Sequence, residues 1–247
     1  MKLLLINPNI SESVTELIRL EAQRSALPGT EVHAQTAEFG VAYIETRAEA
    51  VIGAHAVLQS AACHASDMDA VIVAAYGDPG LCALKELLDI PVIGLTEASV
   101  SEAHLYGGRF SLVGISKRIG VWYQEVIRAY GFHDRMASYR GLNASFSDVG
   151  RVQDERRDML LDLCLECVEK DGADSIILSG APLAGLARDV ADRIPVPLID
   201  GVGSAMRAAQ SLVALGGIHR HTGSYARPPR KGNRGLSTEL QRLFHPH

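Results

Sequence analysis

The sequence predicts an α/β protein of two parallel-sheet lobes, related by a pseudo-two-fold axis and facing each other across a cleft. Two observations predict it. Short apolar segments alternate with longer amphipathic ones along most of the 247 residues, the signature of βα units. The chain also repeats itself. "DAVIVAAYGDPGL" at 69–81 matches "DSIILSGAPLAGL" at 174–186, pairing Asp69 with Asp174 and Ala75 with Gly180 at an offset of 105. "IPVIG" at 90–94 matches "VPLID" at 196–200 at an offset of 106, and "KLLLIN" at 2–7 more weakly resembles "FSLVGI" at 110–115. A solenoid unit spans only roughly 20–50 residues, so this period marks two similar lobes rather than a stack.

Strands are expected near 2–6, 31–35, 70–75, 92–94, 110–115, 137–141, 175–179 and 197–199. Helices are expected between them, around 12–25, 47–66, 80–88, 98–106, 118–130, 152–170, 183–192 and 203–215. The opening "MKLLLINPNI" carries one lysine and an apolar run that Asn7, Pro8 and Asn9 interrupt at once. It reads as a first strand rather than a signal peptide. After Gly216 the stretch "IHRHTGSYARPPRKGNRG" is basic and rich in Gly and Pro, and is expected on the surface or against a neighbouring subunit. The lobes are assigned to residues 1–97 with 207–247, and to 98–206. The final helix and tail return to the first lobe.

Hydrophobic residues make up 47% and charged residues 21%, as in ordinary globular proteins. A net charge of -5 gives no reason to expect nucleic acid or an acidic membrane as partner. No segment approaches the roughly 20 apolar residues of a membrane span. Four cysteines, Cys63, Cys82, Cys164 and Cys167, suggest a reducing cytoplasm and no disulfide framework. Cys164 and Cys167 form a CxxC inside a helical pattern, where core packing is expected; no second ligand pair is placed to complete a zinc site. Cys63 and Cys82 also fall in helical patterns and read as small buried hydrophobes.

In open parallel sheets, ligands bind beyond the carboxyl ends of the strands. Facing lobes would line the cleft with Asn7 and Asn9, Tyr43, Tyr76-Gly77-Asp78, and Ser116-Lys117-Arg118. Ser179-Gly180-Ala181-Pro182 would stand opposite. Ala75 and Gly180 would then be symmetry mates on either side of a ligand. That arrangement suits chemistry on both faces of one carbon atom.

An ordered set of motifs adds a family resemblance. "INPN" at 6–9, "IE" at 44–45, "GDPGL" at 77–81, "RFS" at 109–111, "YGFH" at 130–133, "DGV" at 200–202 and "SLVALG" at 211–216 span nearly the whole chain. Together they resemble the Asp/Glu/hydantoin racemase superfamily, most closely its hydantoin and allantoin racemase branch. The resemblance implies two flavodoxin-like lobes, no metal or organic cofactor, and homo-oligomers. It also implies two cysteines, one per lobe, that remove and deliver the proton at a stereocentre. The positions that match them are Ala75 and Gly180, so both acid/base places lack a functional group. The family's threonine pair after the fifth strand aligns with Gly114 and Ile115, and the serine before "IE" with Tyr43.

Other groups are weaker candidates for chemistry. Asp78 could act as a base, but an Asp in such a turn more often caps the following helix or locks its loop. Tyr43 replaces a small polar residue and is the better ligand contact; Tyr76 replaces another aromatic, so packing is expected of it. Ser179 could be a nucleophile only with a base beside it, and no histidine is near in sequence. Lys117 and Arg118 could hold a carboxylate. Asn7, with the amides at 77–78 and 180–181, could cradle a carboxylate or ring carbonyl. The expectation is a cofactor-independent enzyme acting on a small carboxylate, amide or hydantoin-type ring without two-thiol racemisation, as a lyase, hydrolase or diverged isomerase. The alternative is a non-catalytic binding protein that retains the cleft. Polar groups converging on the 75/180 axis would favour the enzyme, and a filled or apolar cleft the binder.

Overall fold

Residues 2–7 carry an apolar run, Leu3 to Ile6, that serves both faces, as a strand in the middle of a covered parallel sheet requires. In the computed structural model, which describes residues 1–143, 148–216 and 223–244, they form β1 (Lys2–Asn7). There follow α1 (Glu12–Arg24), β2 (Glu31–Thr36), α2 (Arg47–His64), β3 (Ala70–Val73), α3 (Leu81–Leu87), β4 (Val92–Gly94) and α4 (Leu95–Tyr106). The second half contains β5 (Phe110–Gly114), α5 (Gly120–Ala129), β6 (Met136–Gly141), α6 (Val152–Asp171), β7 (Ser175–Ser179), α7 (Leu186–Asp189), β8 (Leu198–Asp200) and α8 (Gly201–Ala214). A last helix, α9 (Thr238–Phe244), closes the described chain.

The strands form two parallel four-stranded sheets of the same order, β2-β1-β3-β4 and β6-β5-β7-β8. Alternation divides the first sheet's residues between two cores. Leu3, Leu5, Ala70 and Ile72 join a cluster that continues into the second sheet, while Leu4, Ile6, Val71 and Val73 pack with Val57 and Leu84 from α2 and α3. Each fully buried leucine of this kind contributes about 1.5–3 kcal/mol.

Strand pairing corrects one detail of the repeat. Leu3 pairs with Ala70 and Phe110 with Ser175, so Leu3 corresponds to Phe110 and Asn7 to Gly114. The match is "KLLLIN" with "RFSLVG" at 109–114, one residue from the expected one. Asp69 and Asp174 bear this out: their carboxylates accept from the amides of Lys2 (2.7 Å) and Arg109 (2.9 Å) respectively. Strands apolar on both faces carry no alternation that would fix their register.

The helices that follow the last strand of each sheet cross to the other one. α4 packs on β7 and β8 as well as β4, α8 packs on β3 and β4, and the two pack on each other. Arg207 and Glu102 join them through an ion pair at 2.6 Å. Gln210 of α8 accepts from the Leu27 amide (2.7 Å) and donates to the Ser25 carbonyl (3.3 Å), tying α8 to the turn after α1. The tail reaches α2 and the end of α3. Ser237 donates to Gln59 (2.8 Å), Arg227 pairs with Asp89 (2.6 Å), and Leu240 of α9 is buried. Residues 217–222, within the basic stretch, lie outside the described residues.

Three expectations change. The helix expected over 183–192 is broken into a four-residue α7 between 3₁₀ turns at 181–183 and 191–193. Pro182 and the left-handed Gly185 (φ +86°) prevent a continuous helix there. Helix α9 was not expected in a segment read only as tail. Cys63 and Cys82 are exposed rather than buried. Cys164 and Cys167 do lie in the core, where burial pushes the Cys164 thiol up to about 12.

The crossing brings Gly201, the first residue of α8, against Tyr76, and a Cβ there would overlap the phenol. Gly201→Ala should therefore cost about 1–3 kcal/mol in urea unfolding, and less in a Tyr76→Phe background. Equal costs in the two backgrounds would show that this contact does not set the limit.

Candidate functional site

The loop after β3 is built from two successive turns: Asp78 N–H donates to the Ala75 carbonyl (3.2 Å) and Leu81 N–H to the Asp78 carbonyl (3.1 Å). Asp78 takes a positive φ of 48°, a conformation that Asp and Asn tolerate best among non-glycine residues. Its buried carboxyl accepts from the amides of Thr96 and Glu97 (both 2.9 Å) and from the Tyr130 hydroxyl (2.8 Å). Asp78 thus caps α4, one helix beyond the α3 that directly follows its loop. Burial pushes its carboxyl up to about 6, against the opposing pull of these donors.

The second lobe solves the same problem from the other side. Asp200 accepts from Val202 N (2.9 Å) and Gly203 N (3.0 Å) at the start of α8, and from Gly185 N (2.6 Å). Burial likewise pushes it up to about 6. In the repeat Asp200 matches Gly94, and Asp78 matches Leu183. A Cβ on Gly94 would overlap the Asp78 carboxyl. One lobe therefore brings its carboxyl from the loop, the other from the strand end, to equivalent places.

Several of the residues expected at the cleft have partners within the fold. The Asp78 amide is held by Ala75, and the Gly77 amide donates to Thr96 Oγ1 (2.8 Å). The amides at 77–78 are therefore not a free cradle. Asn7 is buried, with Nδ2 within 3.0 Å of Asn9 Oδ1 and Thr15 Oγ1, and locks the turn into α1. Tyr76 points into the lobe junction, its hydroxyl 2.9 Å from Ser99 Oγ. Ser179 is fully buried and donates to the Val113 carbonyl (3.0 Å). Lys117 and Arg118 are exposed.

The corresponding loop of the second lobe is different. Gly180 has φ +149° and ψ +128°, a region essentially reserved for glycine. The amides of Gly180 and Ala181 have no hydrogen-bond partner among the described residues. Beside Gly180 stands Ile115, and one residue further Ser116 donates to Glu45 across the lobe boundary while accepting from Arg118 N (3.1 Å). Tyr43 lies half-buried close to Glu45; burial, then the charges of Glu45 and Glu49, raise its phenol. Arg47 and Glu125 form a second pair across the boundary. Trp122 lies where a side chain at Gly77 would be. Rings continue from Trp122 through Tyr123 to Tyr76 and Tyr139, with centroids 5.6–6.1 Å apart in successive pairs.

Sequence reasoning did not single out Glu45, Trp122, Tyr139 or Asp200 as shaping the site. Glu45 was visible only as part of the "IE" pair. The repeat offered a signal for Asp200, because a carboxyl absent from position 183 returns at 200.

Two parallel four-stranded sheets of the same order define an α/β protein of two similar lobes, and sequence comparison identifies the family. Residues 3–209 match the family model described as Asp/Glu/Hydantoin racemase. A hydantoin racemase of Paenarthrobacter aurescens is 35% identical over 233 residues, covering 94% of this chain and 99% of that protein. Another, from Pseudomonas sp. (strain NS671), is 31% identical over 232 residues, covering 94% and 93%. The structure of allantoin racemase from Klebsiella pneumoniae superposes with a TM-score of 0.92 at 32% identity, covering 97% of this chain and 98% of that one. The chain belongs to the Asp/Glu/hydantoin racemase family.

Raised carboxyl pKa values in the folded state predict a pH dependence. Between the unfolded value near 4 and the folded value of about 6, the native protein binds the extra proton, so this contribution to stability falls as pH rises through that window. Asp78→Asn keeps the left-handed backbone and removes one ionisation. The stability gap between wild type and Asp78→Asn should narrow by up to about 3 kcal/mol from pH 4 to 6, measured by denaturant unfolding. A gap that widens would mean the donors hold Asp78 ionised.

Proposed function

We propose that this racemase-family protein is a cofactor-independent enzyme that binds a small hydantoin- or allantoin-type ring, or a related carboxylate or amide, between its lobes. The amides of Gly180 and Ala181 hold a carbonyl or developing anion, and the acid–base groups are oxygen acids at the cleft, Glu45 foremost, rather than thiols. One observation carries this reading. Positions 75 and 180, the symmetric pair that the family resemblance assigns to thiols, hold Ala and Gly, while a carboxylate reaches from the first lobe to Ser116, the residue after the Ile115 that stands beside Gly180. The four cysteines stand elsewhere: Cys63 and Cys82 exposed on α2 and α3, Cys164 and Cys167 in the core of α6. The reaction on this reading is a diverged isomerisation, lysis or hydrolysis.

A specific observation favours the second reading, a non-catalytic binder: Trp122 and Tyr76 fill space where the lobes meet. Proton NMR in deuterated water separates the two, using chiral hydantoins, allantoin and N-carbamoyl amino acids. An enzyme should exchange the stereocentre proton or form product, with Glu45→Gln reducing the rate by about 10²-fold or more. Exchange that survives Glu45→Gln would remove Glu45 from the chemistry. Ligand-induced thermal stabilisation with neither exchange nor product would support the binder.

A further inference from the structure

We propose that Tyr139, a β6 residue, is a specificity-determining contact that accepts a hydrogen bond from a ring N–H of the ligand. The inference rests on the small-ring reading above. Gly114 ends β5 and corresponds, by strand register, to Asn7 at the end of β1. The first lobe has a buried amide side chain there; the second has no side chain of its own. Its space is occupied instead: a Cβ on Gly114 would overlap the Tyr139 hydroxyl, and a Cβ on Gly120 the edge of its ring. Two glycines on separate elements thus accommodate one phenol.

The hydroxyl's chemistry is set by its partners. Tyr139 Oη donates its proton to the Ser116 carbonyl at 2.6 Å. Burial, then the charge of Glu45, raise its pKa above the ordinary phenol value, so the proton stays in place. With its donor engaged, the oxygen has only acceptor capacity left. It lies at the strand ends, since a Cβ on Gly114 would also approach Ser179 Oγ to 3.1 Å, and Ser179 directly precedes the amides of Gly180 and Ala181, which have no partner among the described residues. An acceptor at the same strand ends as two donors would complement a cyclic amide or ureide, which presents N–H beside C=O. A simple carboxylate lacks the N–H and would leave the acceptor unmatched.

The test measures affinity by calorimetry for a 5-substituted hydantoin and for its two N-monomethyl derivatives. Wild type should bind the parent ring about tenfold tighter than one of the methylated rings. Tyr139→Phe should reduce that ratio to about twofold or less, mainly by weakening the parent ring. Gly114→Ala provides a second route, because its Cβ displaces the hydroxyl without altering the tyrosine, and it should lose the same discrimination. A ratio unchanged in both folded variants overturns the role of Tyr139 while leaving the small-ring reading intact. Absence of binding of any ring by wild type overturns both.

Discussion

Each lobe of this protein depends on a carboxyl at the N-terminus of its crossing helix, buried at Asp78 and partly buried at Asp200. The first turn of a helix carries unpaired N–H groups and a partial positive charge. Here those groups are taken out of water, because α4 and α8 begin where the lobes meet. Asp78 and Asp200 supply the missing acceptors, and each also fixes a loop: Asp78 its own, Asp200 the one containing Gly185. The cap, the loop conformation and the crossing of α4 over α8 are therefore one coupled structure. Tyr76 adds to it by reaching from the first loop to Ser99 of α4 and to the first residue of α8.

The two lobes differ because the carboxyl comes from opposite ends. In the first lobe it lies on the loop, and the loop's amides are tied back to Ala75 and Thr96. In the second it lies on the strand end and engages the loop at Gly185, and the amides at 180–181 have no partner among the described residues. A symmetric backbone thus gives asymmetric strand ends, with the Glu45 carboxylate reaching from the first lobe to Ser116 of the second. Trp122 and Tyr139 extend the difference, each using the space beside a glycine at a strand end or loop.

Much of the fold was legible because parallel βα units leave strong periodic signals and the repeat reveals the symmetry directly. Register was less so: β1 and β5 are apolar on both faces, and a one-residue slip leaves their pattern unchanged. α7 was overestimated because Pro182 and Gly185 were weighed less than the apolar spacing around them. At the site, a capping role for Asp78 could be read from the turn, but not its target, since Thr96 and Tyr130 lie 18 and 52 residues further along. Asn7 and Ser179 looked like ligand contacts because they end strands. Their partners, Thr15 and the Val113 carbonyl, are supplied by the fold. Tyr139 was hidden for the converse reason: a strand residue acquires meaning only once Gly114 and Gly120 are placed around its ring.

The positions that resemblance assigns to thiols are empty in two physically different ways. Ala75, two residues beyond the end of β3, retains a Cβ, so the missing group is one atom away. Gly180 adopts φ +149°, and any side chain there carries backbone strain of about 1–3 kcal/mol whatever the surrounding space. Its nearest neighbours, Pro182 and Ile115, would stand 3.7–3.8 Å from a Cβ, so room is not the obstacle. The second lobe has shaped its peptide around the absence of a side chain, and in the same conformation the Gly180 and Ala181 amides have no partner among the described residues. Restoring a thiol at 180 would therefore compete with the backbone that presents those donors, which makes the anion cradle and a side chain at 180 alternative solutions for one loop.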